Sequence, residues 1–464
     1  MSNGRPAVVF VHPTVPPLYT GGIETMLSQW IDHFATRGYP VYALHQDRTW
    51  TAHRRWEFLG ATMIATPTAS VERALDYRSR FGEDDATGRL RDEFHRILQD
   101  ITDEVGRVGV VHANNIHAVA VRPMAEGLAA AANDLGIPAV HLANNVWPVL
   151  PGEDPRYVPA GYRHHSGSRG ILDAYAARGA WPADGIVTRP GVDPDLFTPD
   201  GPADPRISRL PGFKVFLPGR ASRVKGAEYL IAAAGLIKLW TARAAEEGTG
   251  FLAEQFPALP GLGVSAERFR AVTAAGFGVV LCDSLDPDPD ARRDYRLPLR
   301  QLATEHGVQD QVTLVALPYD DMPAAHRAAD LVVTPSQRPT VAGTRAEQTL
   351  EGLCQAVIEG MSSERMVLTT GDGSQTEAVL HAYGERAAAA IAEGDDPASL
   401  AARILWAWLN PAERRWYARA GRHAAEGEFR LSRSVAGIHE AIAATAPLIS
   451  RPDEDMAQHQ PGVR

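Results

Sequence analysis

The chain has 464 residues, of which 45% are hydrophobic and 22% are charged, and its formal net charge is -10. This length predicts two domains, each large enough to bury a core without disulfides. The acidic balance argues against nucleic acid or an anionic membrane as the main partner, because both bind clustered Lys and Arg. Cys282 and Cys354 lie in no CxxC or Cys/His cluster, so neither a disulfide framework nor a structural zinc site is expected.

Residues 1–6 are polar and lead directly into a strand-like apolar run. No charged leader with an apolar stretch precedes that run, and no apolar run approaches the ~18 residues that cross a bilayer. The sequence therefore predicts a cytoplasmic protein without a transmembrane segment.

The first part of the chain alternates β-branched runs with Ala- and Leu-rich stretches of helical periodicity. Strands are predicted over 7–12, 41–45, 63–66, 108–112, 139–142 and 185–188. Helices are predicted over 24–37, 90–105, 119–135 and 167–178. Continuous apolar strands that alternate with helices form parallel sheets covered on both faces, so a doubly wound α/β domain is expected.

The same alternation begins again after residue 212. Strands are predicted over 214–217, 277–282, 312–317, 330–334 and 366–370, and helices over 226–239, 349–361, 397–408 and 413–427. Between the two series lies DPDLFTPDGPADPRISRLPG, whose Pro, Asp and Gly content is typical of a linker. We predict a boundary near residue 200, domains over 1–200 and 201–430, ligand at the carboxyl ends of the strands, and a disordered tail over 450–464.

Two glutamates stand out in EGLCQAVIEGMS, residues 351–362. Glu351 and Glu359 are separated by a little over two helical turns, so Glu351 is expected at or before the first turn. A carboxylate can accept the protons of two vicinal hydroxyls in charge-assisted hydrogen bonds. The alternative is two glutamates on a solvated helix.

Two further segments follow predicted strands and precede predicted helices. PGRASRVKG, residues 218–226, contains Gly219, Arg220 and Lys225, and TGGIETML, residues 20–27, contains Gly21 and Gly22. Cations at a helix N-terminus oppose the helix dipole unless an anion also binds there. The adjacent glycines would let backbone N–H groups approach such an anion, although Gly-Gly is also an ordinary turn.

These segments together resemble the GT-B retaining glycosyltransferases, family 4 in particular. The glutamate segment is similar to EGxGxxxxEAMA, the basic loop to GRxxxxKG, and the first loop to GGxE. VTRPGVDPDLFTP, AADLVVTPS and TTGDGSQTEAV resemble further family segments in the same order. The resemblance implies two Rossmann-like domains facing across a cleft, with the acceptor mostly on 1–200, the nucleotide mostly on 201–430, and a C-terminal helix at 431–449 that crosses back.

The resemblance also implies roles for individual residues. Glu351 would lie beside the donor sugar, Glu359 would bind the ribose hydroxyls, and Arg220 and Lys225 would stabilise the departing diphosphate. The other donor-side residues would be Gly21, Gly22, Gly219, Gly352 and Cys354. The expected donor is a UDP or GDP sugar and the acceptor a small molecule. No further cofactor and no metal are required, because the two cations supply the charge.

The sequence departs from the family pattern at several places. Cys354 replaces a glycine, as a small buried thiol or a nucleophile, and residues 337–350 form an insertion near the donor sugar. Asn144 stands where the family has a histidine, and Asn114 replaces a second one. His112 or His141 would then substitute for the missing imidazole, or be core residues. The DxD of LDPDPDA, residues 285–291, fits an Asp-Pro turn better than a metal site.

Two alternatives remain at this point, and a third is excluded. One is another GT-B enzyme, such as a sugar-phosphate transferase, an epimerase, or a coupling enzyme that forms an N- or S-linked product. Another is a catalytically silent protein that binds sugar nucleotides. An NAD oxidoreductase would need GxGxxG after the first strand, which GGIETM does not provide. The Ala- and Arg-rich composition suggests a high-GC bacterium, in which glycosylation of small molecules in natural-product biosynthesis is the setting we expect.

Overall fold

The chain divides into two compact units. Unit 1 comprises Met1–Pro190 with Ser432–Arg464, and unit 2 comprises Gly191–Leu431. The computed structural model describes residues 4–16, 18, 21–46, 54–116, 121–146, 154, 156–182, 184–219, 221, 225–283, 289–336, 340–341, 344–345, 352, 354–371 and 374–452. Of 289–295, 340–341 and 344–345 it describes the backbone alone.

Unit 1 is built on an eight-stranded sheet. Its strands are β1 (Ala7–Val11), β2 (Val41–Gln46), β3 (Arg54–Phe58), β4 (Ala61–Thr66), β5 (Val108–Asn114), β6 (Ala139–Ala143), β7 (Arg163–Ser166) and β8 (Ile186–Val187). They follow the order β3-β4-β2-β1-β5-β6-β7-β8, and every pair is parallel except β3 with β4. The direction of winding reverses beside β1, which places the switch point of the sheet between β1 and β5.

Five helices connect these strands. They are α1 (Gly22–Thr36), α2 (Val71–Phe81), α3 (Glu83–Val105), α4 (Arg122–Asp134) and α5 (Arg169–Ala177), with a 3-10 turn at Pro67–Ala69. Side-chain caps fix two of the starts, because Ser70 accepts the Arg73 N–H and Ser168 accepts the Ile171 N–H.

Unit 2 contains a second parallel sheet with the order β11-β10-β9-β12-β15-β16. Its strands are β9 (Phe213–Leu217), β10 (Phe277–Asp283), β11 (Val312–Ala316), β12 (Leu331–Thr334), β15 (Val367–Thr370) and β16 (Ile391–Ala392). Its switch point lies between β9 and β12. Inside the predicted insertion, β13 (Thr340–Val341) and β14 (Thr344–Arg345) pair antiparallel. The prediction of two doubly wound α/β domains is confirmed.

The helices of unit 2 cover both faces of this sheet. They are α6 (Pro205–Ser208), α7 (Ala227–Glu247), α8 (Gly250–Gln255), α9 (Ala266–Thr273), α10 (Pro289–Glu305), α11 (Met322–Ala328), α12 (Gln355–Ser362), α13 (Gln375–Tyr383), α14 (Pro397–Leu409) and α15 (Pro411–Glu426), with 3-10 turns at Tyr319–Asp321 and Gly384–Ala390. Phe216, Leu230 and Trp406 are among the buried residues of its core.

The boundary between the units follows Pro190 rather than residue 200. The Pro- and Asp-rich segment predicted as a linker is bound to unit 2. Phe197 is buried, its carbonyl accepts the Ser362 hydroxyl, and Arg422 donates to the same carbonyl. This segment also contains the single-turn helix α6, capped by the Asp204 side chain. Composition alone does not reveal such anchoring, because Pro and Asp are equally common in free and in docked loops.

The last helix, α16 (Leu431–Thr445), belongs to unit 1 apart from its first residue. The preceding helix, α15, lies wholly in unit 2. The segment after α16 packs on β5, where a Cβ on Gly109 would lie 2.8 Å from Cδ1 of the buried Ile449. Of the predicted tail, residues 453–464 lie outside the described residues.

Buried histidines connect α16 to α1. His439 donates from Nε2 to the Ser450 carbonyl (2.9 Å), because a carbonyl can only accept. His439 Nδ1 then accepts from His33 Nε2 (3.1 Å), and His33 Nδ1 accepts from Arg37 (2.9 Å). When both imidazoles are neutral, all four ring nitrogens of His33 and His439 have a hydrogen-bond partner.

We expect unit 1 to lose stability as the pH falls below 6.5. The pKa of His33 is lowered from 6.5 to about 3, because burial removes water from the ring and Arg37 and His439 add positive charge beside it. Between pH 6.5 and pH 3, His33 therefore binds a proton in the unfolded chain but not in the folded one. The contribution to stability is complete above pH 6.5 and declines by about 1.4 kcal/mol per pH unit towards pH 3.

Urea unfolding at pH 7 and pH 5.5 measures this effect. The variant His33→Gln should lose about 1.4 kcal/mol less than the parent between these pH values. His95→Gln, on the outer part of α3 in the same unit, is the matched control and should follow the parent. An equal loss in His33→Gln and the parent would contradict the assignment.

Candidate functional site

The loop after β9 lies at the switch point of unit 2. A Cβ on Gly219 would lie 3.7 Å from both Cγ and Cδ of Lys225, so the lysine stem passes over this glycine. Gly226 has a φ of 76°, and a Cβ there would overlap the carbonyl oxygen of Pro335. Because Pro335 follows β12, the loops after β9 and β12 meet at Gly226. Lys225 is thereby held at the start of α7.

The same loop is also tied to the end of β10. The Ala221 N–H donates to the Cys282 carbonyl at 2.8 Å. Burial raises the pKa of the Cys282 thiol to about 12, and the Glu359 charge acts in the same direction. The end of β10 therefore contacts the basic loop, and it lies close enough to Glu359 for the two to interact electrostatically. The predicted residues Arg220 and Glu351 lie outside the described residues.

Glu359 projects from α12 and is buried, with 4% of its surface exposed. Its Oε1 accepts the Tyr319 hydroxyl at 3.1 Å, and His326 Nε2 lies 3.9 Å from Oε2, beyond hydrogen-bond range. Tyr319 follows β11, so this carboxylate lies at the carboxyl edge of the sheet. It is oriented by a neutral donor and its other oxygen retains acceptor capacity.

Several buried polar atoms at this edge have no hydrogen-bond partner within the part of the chain that the structure describes. They are Ser336 Oγ, Gln355 Oε1, Ser374 Oγ and Gln375 Oε1. Buried polar groups in proteins are normally paired, so such a group of exceptions marks a place where a polar ligand can bind. Their neighbours in sequence, Gly352 and Cys354, are also buried, and Cys354 is the N-cap residue of α12.

Several helices begin at this edge of the sheet, and three of them follow strands at or next to the switch point. α7 follows β9, α12 follows the insertion after β12, and α13 follows β15. The N-terminus of a helix carries unpaired N–H groups and a partial positive charge, which attract phosphate. Lys225 and these helix starts can attract an anion, and Glu228 and Glu377 in the first turns of α7 and α13 reduce that attraction in part.

In unit 1, the predicted asparagines are brought together at the corresponding edge. Asn144 Nδ2 donates to Asn114 Oδ1 at 2.9 Å, and the Asn144 N–H donates to Asn115 Oδ1 at 3.2 Å. Asn114 Nδ2 is buried without a partner in the described region. A Cβ on Gly167 would lie 2.5 Å from Asn144 Oδ1, so the loop after β7 also closes on this pair.

The two histidines proposed as substitutes lie in the core instead. His112 is fully buried, with ring centroids 5.5 Å from Phe10 and 5.4 Å from Trp30. Burial, with the nearby His165, lowers the pKa of His112 to about 3. His141 is also fully buried and lies against His164, with their Nδ1 atoms 3.2 Å apart. These placements favour the core alternative for both.

A different histidine, His12, lies at the switch point of unit 1. Its Nδ1 donates to the Asn114 carbonyl at 2.7 Å, which leaves the Nε2 lone pair as an acceptor when the ring is neutral. Burial lowers the pKa of His12, while the charge of Glu24 opposes that shift. We did not select His12 from the sequence, although it ends the first predicted strand, where the fold places ligands.

The carboxylate of Glu24 lies next to the predicted glycine loop. Gly21 is the N-cap residue of α1, and both Gly21 and Gly22 are exposed. Glu24 lies in the first turn, where its Oε1 accepts the Thr14 hydroxyl at 2.6 Å and its Oε2 lies 2.5 Å from a Cβ built on Gly21. The start of α1 therefore has a negative charge of its own, which reduces its attraction for a second anion.

No group of three or more His, Cys, Asp or Glu residues that could hold a metal ion occurs among the described residues. Residues 284–288, which include part of the DxD segment, lie outside them. In the described part of the chain, no helix is both long and apolar enough to cross a membrane.

Comparisons with known proteins agree with this architecture. Residues 276–424 match the family model described as glycosyl transferases group 1, and the matched segment includes Glu359. No curated protein sequence matches the chain.

Solved structures match nearly the whole chain at low identity. A glycosyltransferase from Rickettsia africae has a TM-score of 0.63 at 13% identity, over 95% of this chain and 98% of that one. Sucrose-phosphate synthase from Thermosynechococcus elongatus has a TM-score of 0.64 at 16% identity, also over 95% and 98%. HepE from Anabaena, in complex with UDP, has a TM-score of 0.61 at 16% identity, over 95% and 100%. The fold is that of the GT-B glycosyltransferases.

We expect Gly226→Ala to destabilise unit 2 and displace Lys225. An added methyl group would overlap the Pro335 carbonyl, and the positive φ adds strain of about 1–3 kcal/mol. Gly250→Ala is the matched control, because a Cβ there meets no atom within 4 Å. Urea unfolding should show a loss in the first variant only. Equal stability of the two variants would refute the close approach.

Proposed function

We propose that this chain is a retaining glycosyltransferase that moves a sugar from a nucleoside-diphosphate donor to a small-molecule acceptor. One observation carries the proposal: Lys225, the starts of α7 and α13, and the buried carboxylate of Glu359 lie along one edge of the unit 2 sheet. This edge offers positive charge for a diphosphate and a buried acceptor for hydroxyl groups. No other arrangement of charged residues at a switch point in the described chain combines the two.

The diphosphate would lie against the loop of Lys225. Negative charge grows on the β-phosphate as the bond to the sugar breaks, so a fixed cation stabilises the transition state more than the ground state. Helix N-termini add to this without a proton transfer. In the proposal Arg220, which the family pattern pairs with Lys225, is the second cation. These charges make a metal ion unnecessary.

The ribose would bind to Glu359. A buried carboxylate is an acceptor only, and the Tyr319 hydroxyl already fixes one of its oxygens. Two ribose hydroxyls would donate hydrogen bonds to the remaining acceptor positions of the Glu359 carboxylate. The unpaired hydroxyl of Ser336 and amide oxygen of Gln375 are further partners for the diphosphate or the sugar. Glu351, Gly352 and Cys354 would lie beside the sugar.

The acceptor would bind to the polar edge of unit 1. His12 is held in the tautomer with a proton on Nδ1, and burial favours its neutral form. Its Nε2 can therefore accept a hydrogen bond from an acceptor hydroxyl, while Asn114 and Asn144 bind other polar groups. In front-face displacement the departing phosphate removes the acceptor proton, and the α-linked donor yields an α-linked product. Natural-product biosynthesis is the biological setting that we favour.

The nucleotide base is open to direct test. The Anabaena protein HepE was solved with UDP, which supports UDP as the first choice and GDP as the second. We expect one of UDP, GDP, ADP and dTDP to raise the melting temperature selectively. A ligand at 100 times its Kd stabilises the folded state by about 2.7 kcal/mol.

Three variants locate that binding site. Lys225→Ala and Glu359→Gln should each weaken nucleotide binding, because they remove a charge that faces the ligand. Lys238→Ala is the matched control, since Lys238 is exposed on α7 and bonds to the Gly307 carbonyl. Lys225→Ala should also abolish turnover, measured by release of the nucleoside diphosphate. Binding without turnover in the parent with every donor would favour a silent sugar-nucleotide-binding protein.

We also expect His12→Gln to lower kcat/KM for the acceptor about tenfold, because the acceptor hydroxyl loses an orienting hydrogen bond of about 1.4 kcal/mol. Binding of the nucleotide should remain unchanged, because His12 lies in unit 1. The pH profile provides a second readout. The pKa of His12 lies below its ordinary value, so the activity of the parent should persist below pH 6.5. His95→Gln is the control, and equal activity in both variants would exclude this role.

A further inference from the structure

A second concave region in unit 2 lies at the opposite edge of its sheet. The cavity has a volume of about 250 Å³ and is lined by residues at the amino-terminal ends of three strands, β9, β12 and β15. Five cations line it: Lys214, Arg327, Arg365, Arg414 and Arg415. The basic loop of Lys225 follows the other end of β9, so this cavity is separate from the proposed donor site.

None of these five cations forms an ion pair with a carboxylate in the described chain. Arg365 donates to the carbonyls of His326, Glu364 and Arg327. Arg327 donates to the carbonyls of Pro202 and Thr198. These bonds hold the guanidinium groups in place through neutral carbonyls, so the opposing charge near Arg365 comes from Asp330 and Glu364 rather than from its hydrogen-bond partners.

Arg414 and Lys214 are held in the same way. Arg414 donates to the Ala407 carbonyl and lies over the ring of Phe213, 4.8 Å from its centroid. Lys214 donates from Nζ to the Gly212 carbonyl at 3.1 Å. The cavity wall is thus rigid and preorganised, which reduces the entropy that a ligand must lose when it orders its partners.

The acidic groups of the cavity do not balance this charge. Only Asp330 and Glu364 are carboxylates among its lining residues, so five cations against two carboxylates leave three positive charges in excess. One Asp330 oxygen already accepts the Lys214 backbone N–H at 2.9 Å. Burial lowers the pKa of Arg365 and of Arg414, the charge of Asp330 opposes both shifts, and neighbouring guanidinium groups add to the lowering.

Hydrogen-bond donors remain available for a ligand. A guanidinium carries five N–H donors, and Arg414 uses one of them on a described partner. Arg415 is exposed and makes no hydrogen bond within the described residues. Planar Arg groups bind phosphate and carboxylate through paired N–H bonds. The cavity is below the usual size of sites for drug-like ligands, which suits a compact ligand.

We propose that this cavity is a second binding site, for a compact polyvalent oxyanion with phosphate or carboxylate groups. The excess charge, the absence of ion pairs among the described cations and the free donors of Arg414 and Arg415 all favour such a ligand. The site does not depend on the proposed donor chemistry, because it lies at the other end of the strands.

Calorimetric titration with inorganic pyrophosphate and, separately, with citrate tests the site at fixed ionic strength. Arg415→Glu should weaken binding by more than tenfold, since it removes a cation and adds a repelling charge. Lys214→Met, which keeps the apolar stem, should weaken it by a smaller factor. Arg300→Glu is the matched control, because Arg300 is exposed on α10, outside the cavity. It makes the same change in net charge and should bind within about twofold of the parent.

The Lys225→Ala variant separates the two sites, because pyrophosphate can also occupy the donor site. Binding that persists in Lys225→Ala and disappears in Arg415→Glu supports the cavity. Preference for pyrophosphate over citrate assigns phosphate ligands, and the reverse assigns polycarboxylates. The inference is overturned if neither anion binds, if Lys225→Ala alone abolishes binding, or if Arg300→Glu and Arg415→Glu lose it equally.

Discussion

The close approach of Gly226 to the Pro335 carbonyl is the constraint on which the donor side of unit 2 depends. It requires a residue without Cβ at a left-handed backbone position, where the loops after β9 and β12 meet. The sheet winds in opposite directions from β9, which creates a crevice at the carboxyl ends of these two strands. The glycine determines how α7 begins and therefore where the Lys225 stem lies. The close contact between the Gly226 and Pro335 backbones thus determines where the charge of Lys225 lies.

The strand and helix pattern could be predicted because its signal is local. Buried parallel strands such as β9 and β12 are continuous apolar runs, and their ends were predicted to within a few residues. β3 was missed because Arg54–Phe58 is largely exposed and lies at the sheet edge. β7 was missed because RHHS is polar, although its last two residues are buried. Such strands depend on a neighbour that the sequence does not identify.

The candidate site was predictable only in part. Charged residues in spaced motifs, such as Lys225 and Glu359, can be recognised one segment at a time. The partners that orient them cannot, because Tyr319 precedes Glu359 by forty residues along the chain. His12 illustrates the same limit: a histidine at the end of an apolar strand gains its tautomer from a carbonyl on β5. His112, two residues from the end of β5, faces Phe10 and Trp30 instead.

The hydrogen bond between His33 and His439 joins α1 to α16, and it has a consequence for folding during synthesis of the polypeptide. Residues 432–452 complete a unit whose other residues are all translated before Gly191. When the ribosome has released residues 1–190, the side chain of His33 lacks its partner and Gly109 has no Ile449 beside it. The fold of the first unit therefore remains incomplete while unit 2 is synthesised. The packing around His33 and Gly109 can be completed only after unit 2 has been synthesised, so the surface that α16 covers stays exposed during that interval.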